Sequence, residues 1–195
     1  MPSDFVADGF CVVLDANVLY PNRMRDILLS LAYTGLFRPV WTDEIMDEWT
    51  RNVDKNHAAS QEQIQRTVLI MKEKFEANWV DSHRTLIGGI EGLPDQDDRH
   101  VVAAAIAANA QQIVTSNLKD FPADILEEHE LEAIDPDTFL VGQFELNPPL
   151  ALKAIQAVRT RYENPPMNRS EFLTDLTAKH MPKFAAKLRP NFENI

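Results

Sequence analysis

Val12-Val13-Leu14-Asp15-Ala16-Asn17 decides the fold. Three apolar residues, two of them β-branched, run into an acid and an amide, which is the pattern of a buried first strand with polar groups at its carboxyl end. Working outward, Pro21 and Asn22 open a helix whose apolar positions Ile27, Leu28 and Leu31 recur at helical spacing and which Gly35 closes. Residues 37–41 read as a second strand despite Pro39. Thr42 is a good N-cap for the next helix, with Asp43 and Glu44 in its first turn, running to about Asn52. A longer helix is expected over 60–75 and a third strand over 78–82. Gly88, Gly89 and Gly92 mark a loop ending at Pro94-Asp95, after which Asp97 or Asp98 caps an Ala-rich helix that ends near Asn109. Residues 112–115 read as a strand, 117–121 as a loop, 125–128 as a short helix and 131–134 as a last strand. Strands alternating with helices indicate an α/β fold with a mostly parallel sheet. From Pro136 the pattern is helical, in pieces separated at 147–149 and 164–166, with apolar stripes at Leu150, Ile155, Val158 and at Phe172, Leu173, Leu176.

Composition sets the frame around this pattern. A chain of 195 residues, 45% hydrophobic and 25% charged, suits one main domain with an appendage and has apolar material for a core. The single cysteine, Cys11, excludes an internal disulfide and sits in an apolar run, as a core thiol does. Residues 1–8 hold no basic stretch before an apolar one, and no apolar run nears the roughly 20 residues that span a bilayer, so neither a signal peptide nor a membrane segment is expected. A soluble, cytoplasmic protein is the expectation. The net charge of −11 is uneven: residues 1–134 carry 11 basic and 23 acidic side chains, whereas 151–195 carry 8 basic and 4 acidic. An acidic body with a mildly basic tail is what ordinary solubility also produces.

In open α/β sheets ligands collect beyond the carboxyl ends of the strands. Asp15 with Asn17, and Ser116 with Asn117, fall at two such ends, and Asp98 opens the helix leading into the second. Glu48 lies on another helix, four residues after Glu44 and so on the same face. Each has a bland account: an Asx-turn for Asp15, an N-cap for Asp98, the helix dipole for Glu44, a solvated face for Glu48. Together they mean more. Converging carboxylates repel and raise one another's pKa unless a cation neutralises them, and hard oxygen ligands select Mg²⁺ or Mn²⁺. The five histidines are scattered and form no zinc cluster with the one cysteine, and Gly88-Gly89 lacks the following Gly-Lys-Ser/Thr of a phosphate-binding loop.

The run from Val12 to Pro21 resembles the opening of a PIN domain, whose first acidic ligand follows its first strand. The runs from Met24 to Leu29 and from Trp41 to Trp49 continue in the family's order, with Glu48 matching the second acid better than Glu44. The run from Asp95 to Ala105 carries the third acid at Asp98, and that from Ile113 to Pro122 resembles the fourth motif. The match covers roughly 10–134. The helices beyond, with Pro136-Asp137 and Asn164-Pro165-Pro166, further resemble the extension of one VapC-type toxin subgroup.

The resemblance implies a three-layer α/β/α nuclease domain over 1–134 and a C-terminal helical extension over 135–195. It implies a Mg²⁺- or Mn²⁺-dependent endoribonuclease, the toxin of a toxin–antitoxin pair, with RNA as substrate, an antitoxin protein as partner and a homodimer as a candidate assembly. Asp15, Glu48 and Asp98 would hold the metal, with Asn117 as fourth site residue. Asn17, Glu44, Ser116 and Asp120 are candidate supporting groups. Arg25, Arg99, Arg159, Arg161 and Arg169 are candidate RNA contacts. One departure matters: many PIN domains have aspartate where Asn117 stands, so the site carries one negative charge fewer, and Asp120 is placed to substitute. Two other accounts compete. A haloacid-dehalogenase-like phosphatase also starts with a strand and an aspartate but expects a second aspartate at position 17. A PIN-fold module that binds RNA or protein without catalysis would keep the fold and lose the metal.

Overall fold

In the computed structural model, which describes residues 10–56, 58–163 and 165–195, β1 (Cys11–Leu14) is buried along its length, no residue being more than 2% exposed. A strand sealed on both faces is a near-continuous apolar run, and Val12-Val13-Leu14 is one. Removing the Leu14 side chain would cost about 2–5 kcal/mol. The expectations for residues 1–8, and for Asn164 within the break at 164–166, lie outside the described residues.

A four-residue helix, α1 (Ala16–Leu19), follows directly, then α2 (Asn22–Tyr33), β2 (Arg38–Val40), α3 (Asp43–Lys55) and α4 (Gln61–Lys74). Thr42 caps α3, its hydroxyl accepting from Ile45 N at 3.2 Å, and Ser60 with Gln63 forms a capping box on α4. The chain continues through α5 (Arg99–Ala107), β3 (Gln112–Val114), α6 (Ala123–Glu127) and β4 (Glu132–Ile134). The sheet is entirely parallel, in the order β2-β1-β3-β4. After β1 the chain steps to one side to form β2, then crosses back over β1 to form β3 and β4. The right-handed rule for such crossovers puts α2 over one face and α5 with α6 over the other. The reversal of direction falls between β1 and β3, so the connections leaving their paired carboxyl ends run opposite ways, which is the usual ligand position of such sheets.

Two expectations need correction. Residues 78–82 form no strand: a single parallel bridge joins Trp79 to Trp41, flanked by 3₁₀ turns at Glu76–Asn78 and Ser82–Thr85. The edge of β2 cannot extend the ladder there, because Pro39 has no N–H and its carbonyl accepts from the Asn78 side chain at 2.6 Å. Nor do Asp97 or Asp98 cap α5 with their side chains. Asp95 supplies the cap one turn earlier, accepting from Asp97 N at 2.9 Å at the start of a 3₁₀ turn, Gln96–Asp98. Asp98 occupies the N-cap position with its carboxylate uncommitted to the backbone.

Beyond β4 come α7 (Pro136–Leu146), α8 (Pro148–Thr160), α9 (Arg169–Ala178) and α10 (Pro182–Leu188). Their apolar faces join the same core as the sheet, through Phe139, Ile155, Phe172 and Phe184. Asp137 is buried because both its oxygens cap α10, accepting from Lys183 N and Phe184 N at 2.8 Å each. Polar contacts then tie the extension to α2. Arg23 pairs with Asp175 at 2.5 Å and lies over the Tyr162 ring at 3.6 Å, while Tyr162 donates to Asp26 and Arg161 to Ser30. No helix among the described residues is long and apolar enough to cross a membrane.

Candidate active site

Asp15 leaves the end of β1 and is only 3% exposed. Its backbone N–H continues the ladder to Val114 O at 3.2 Å. Its Oδ2 accepts from Thr115 Oγ1 at 2.7 Å and from Asn17 Nδ2. Thr115 Oγ1 in turn accepts from Asn17 Nδ2 at 2.9 Å and from Asn117 N at 3.0 Å, and Ser116 N donates to Asn17 Oδ1 at 2.9 Å. The ends of β1 and β3 are thus stitched together around one carboxylate. Thr115 is the centre of that network, and the sequence pointed past it to Ser116 and Asn117. Its one sequence signal is a hydroxyl where an apolar strand runs out.

Asp98 arrives from the start of α5 and Glu48 from the middle of α3. Burial and then the nearby negative charges of Asp15, Asp95, Asp120 and Glu48 push the Asp98 carboxyl up to about 7. Burial likewise raises Asp15, against the opposing Thr115 hydrogen bond, with Glu48 adding to the rise. Acids from separate segments therefore act on one half-buried carboxyl. The Glu48 carboxylate meets His100 Nε2 at 3.6 Å, a contact absent from the expected site. Asn117 donates its amide to Asp120, so the residue at the fourth position and its candidate substitute form a pair.

Other candidates lie elsewhere in the bonding pattern. Glu44 is engaged by Arg84 at 2.7 Å and His83 at 3.0 Å, tying α3 to the Ser82–Thr85 turn. Burial works against its charge, but the Arg84 hydrogen bond, a backbone hydrogen bond and the charges of His83 and Arg84 together outweigh it and hold the carboxyl below the ordinary range. Arg25 donates to Leu19 O at 3.3 Å and lies 5.3 Å from the Trp49 ring centre, and burial lowers its pKa. Arg99 has a buried Nε without a partner among the described residues. In the extension, Arg159 donates to Met167 O at 3.0 Å, Arg161 to Ser30 Oγ at 2.7 Å, and Arg169 to Ile195 O and Glu193 O at 3.0 Å each. Cys11 is buried, and its thiol pKa is raised by that burial, as befits a core residue.

Among the described residues no three His, Cys, Asp or Glu side chains stand in metal-holding range of one another. The donor set still fits a hard divalent cation. All its charged groups are carboxylates, and the repulsion that raises Asp98 is what a cation would relieve. Asp15 is fixed by two donors, whereas Glu48 and Asp98 are half-buried and their carboxylates make no hydrogen bond among the described residues.

The PIN domain family profile matches residues 11–119, more than half of the chain, from β1 to the turn after β3. The chain belongs to the PIN domain family. The match takes in Asp15, Glu48, Asp98 and Asn117. A second family, the VapC50 C-terminal domain, matches residues 136–190 and so covers all four helices of the extension. This PIN-domain chain is 40% identical over 95 residues to a Mycobacterium tuberculosis protein named "Putative ribonuclease VapC50". That alignment covers 49% of the chain and 56% of the relative, so the chain spans about half the length of the curated protein it matches. No solved structure matches it.

Proposed function

We propose that this PIN-domain protein is a metal-dependent endoribonuclease, the toxin of a toxin–antitoxin pair, using Mg²⁺ or Mn²⁺ held by Asp15, Glu48 and Asp98. The observation that carries it is the Asp98 carboxyl, raised to about 7 by burial and by acids from other segments at the carboxyl ends of β1 and β3. The similarity to a relative named as a ribonuclease supports the same chemistry.

A bound divalent cation would lower the pKa of a water and stabilise charge on the attacked phosphate. The chain's own groups do the rest. Thr115 and Asn17 hold Asp15 in one orientation through hydrogen bonds to Oδ2. Ser116 and the Asn117–Asp120 pair line the β3 side, where they would orient water or a phosphate oxygen. Arg25 and Arg99 would contact the RNA backbone. Arg159, Arg161 and Arg169 bond within the protein, so their contribution to RNA would be indirect: holding a net-positive helical unit against an acidic body. The proposed partners are the RNA substrate and an antitoxin protein.

The test is incubation of the purified chain with structured RNAs in Mg²⁺, in Mn²⁺ and in EDTA. Cleavage within the strand that EDTA abolishes supports the proposal. RNA left intact with either metal contradicts it.

A further inference from the structure

His100 stands on α5, two residues after Asp98, and reaches toward α3. Its side chain is 16% exposed and its Nε2 lies 3.6 Å from Oε2 of Glu48, itself 34% exposed. The other ring nitrogen, Nδ1, is buried with no hydrogen-bond partner among the described residues. Those two facts constrain what the ring can do: with no partner at Nδ1, the ring's one polar contact among the described residues runs through Nε2, which donates to the Glu48 carboxylate whenever it carries a proton.

We propose that His100 is a positioning residue for Glu48, donating from Nε2 to one carboxylate oxygen and thereby presenting the other to the cation. The proposal rests on the nuclease function set out above. At 3.6 Å the contact is longer than a formed hydrogen bond, typically 2.7–3.2 Å; a movement of about half an ångström closes it. Such site hydrogen bonds commonly tighten only when the site is loaded. Glu48 needs the support. Asp15 is fixed by Thr115 and Asn17, but Glu48 sits mid-helix on a flexible side chain whose one ion-pair contact among the described residues is His100. A ligand held by an outer hydrogen bond loses less rotational freedom on binding, and removing such a partner typically costs about 10–100-fold in metal affinity.

The experiment compares wild type, His100→Leu and His100→Gln by direct Mn²⁺ titration using electron paramagnetic resonance, and by RNA affinity in EDTA. Leucine fills space without a donor; glutamine places an amide N–H near the position of Nε2. The expected result is Mn²⁺ binding about tenfold weaker in His100→Leu and largely recovered in His100→Gln, with RNA affinity in EDTA unchanged. Wild-type Mn²⁺ affinity in folded His100→Leu, or equal losses in both variants, would overturn the role. If His100→Leu does not fold, the His100→Ala and Glu48→Gln variants carry the test: combined, they should lose no more Mn²⁺ affinity than Glu48→Gln alone, and additive losses overturn it. A wild-type protein that binds no Mn²⁺ would instead overturn the proposed function, taking the role of His100 with it.

Discussion

Thr115 Oγ1 donates to Asp15 Oδ2 at 2.7 Å, joining the ends of two neighbouring parallel strands through the most buried acid among the described residues. That hydroxyl also accepts from Asn17 Nδ2 and Asn117 N, so one side chain satisfies three polar groups. Thr115→Val keeps the shape and removes all three bonds. Leaving buried polar groups unmet costs about 1–3 kcal/mol, so a fall in stability of that order is expected in urea unfolding. Loss of a donor that favours the ionised form should also raise the Asp15 pKa further, and cleavage should fall at neutral pH more than at pH 8.5. Unchanged stability and rate would show that the network is incidental.

The acid cluster makes a pH prediction with a definite sign. Asp98 titrates near 7 in the folded chain, against about 3.9 for an unperturbed aspartate. The folded state therefore binds this proton more tightly than the unfolded state. Its ionisation costs stability, which is lost progressively as pH rises from about 4 to about 7. Asp15 is shifted the same way. In EDTA the wild-type melting temperature should fall across that window by more than that of Asp98→Asn, and Asp98→Asn should be the more stable protein at pH 8. Parallel melting curves for the two proteins would remove the repulsion on which the proposed cation site depends.

The first strand was legible because burial on two faces leaves no alternative to an unbroken apolar run, and the acids after it stand out. The acids at 48 and 98 were legible only as members of an ordered set, since each alone passes for a solvated residue or a cap. Thr115 and His100 were not legible. Their contacts depend on which atoms lie across the fold, and no local pattern encodes one between residues 100 positions apart, as Asp15 and Thr115 are, or 52 apart, as Glu48 and His100 are. The strand expected at 78–82 failed for a related reason: β-propensity cannot reveal that the edge it needed is interrupted at Pro39. Arg159, Arg161 and Arg169 stood out in the sequence as candidate RNA contacts, and the fold turns them onto backbone carbonyls and a serine of the body.

Arg23 offers a test of how firmly the extension is held. Its guanidinium pairs with Asp175 and covers Tyr162, with side-chain exposures of 11% and 23% for the pair. Arg23→Met keeps much of the packing but strands the acid. A loss of about 2 kcal/mol is expected, below the 3–5 kcal/mol typical of fully buried pairs because Asp175 retains some water. Limited proteolysis should then cut first within 161–168, between α8 and α9. Wild-type resistance would show that apolar contacts alone hold these helices.

Gly92 is a purely steric case. Its φ of +82° is disfavoured for side-chain-bearing residues, and a Cβ there would meet Ile125 Cδ1 at 2.5 Å. Gly92→Ala should destabilise the chain by about 1–3 kcal/mol, as judged by chemical denaturation. Pairing it with Ile125→Val, which shortens the obstructing side chain, should recover part of the loss.

The central claim is that Asp15, Glu48 and Asp98 form a cation site that cuts RNA. Single-turnover cleavage of one end-labelled structured RNA in Mg²⁺, by wild type and by Asp15→Asn, tests it most directly. Cleavage by wild type and a loss of at least about 100-fold in the variant are expected, with the variant as stably folded as wild type in EDTA because a crowded carboxylate has been removed. Undiminished cleavage by well-folded Asp15→Asn would contradict the claim and place the chemistry elsewhere in the protein.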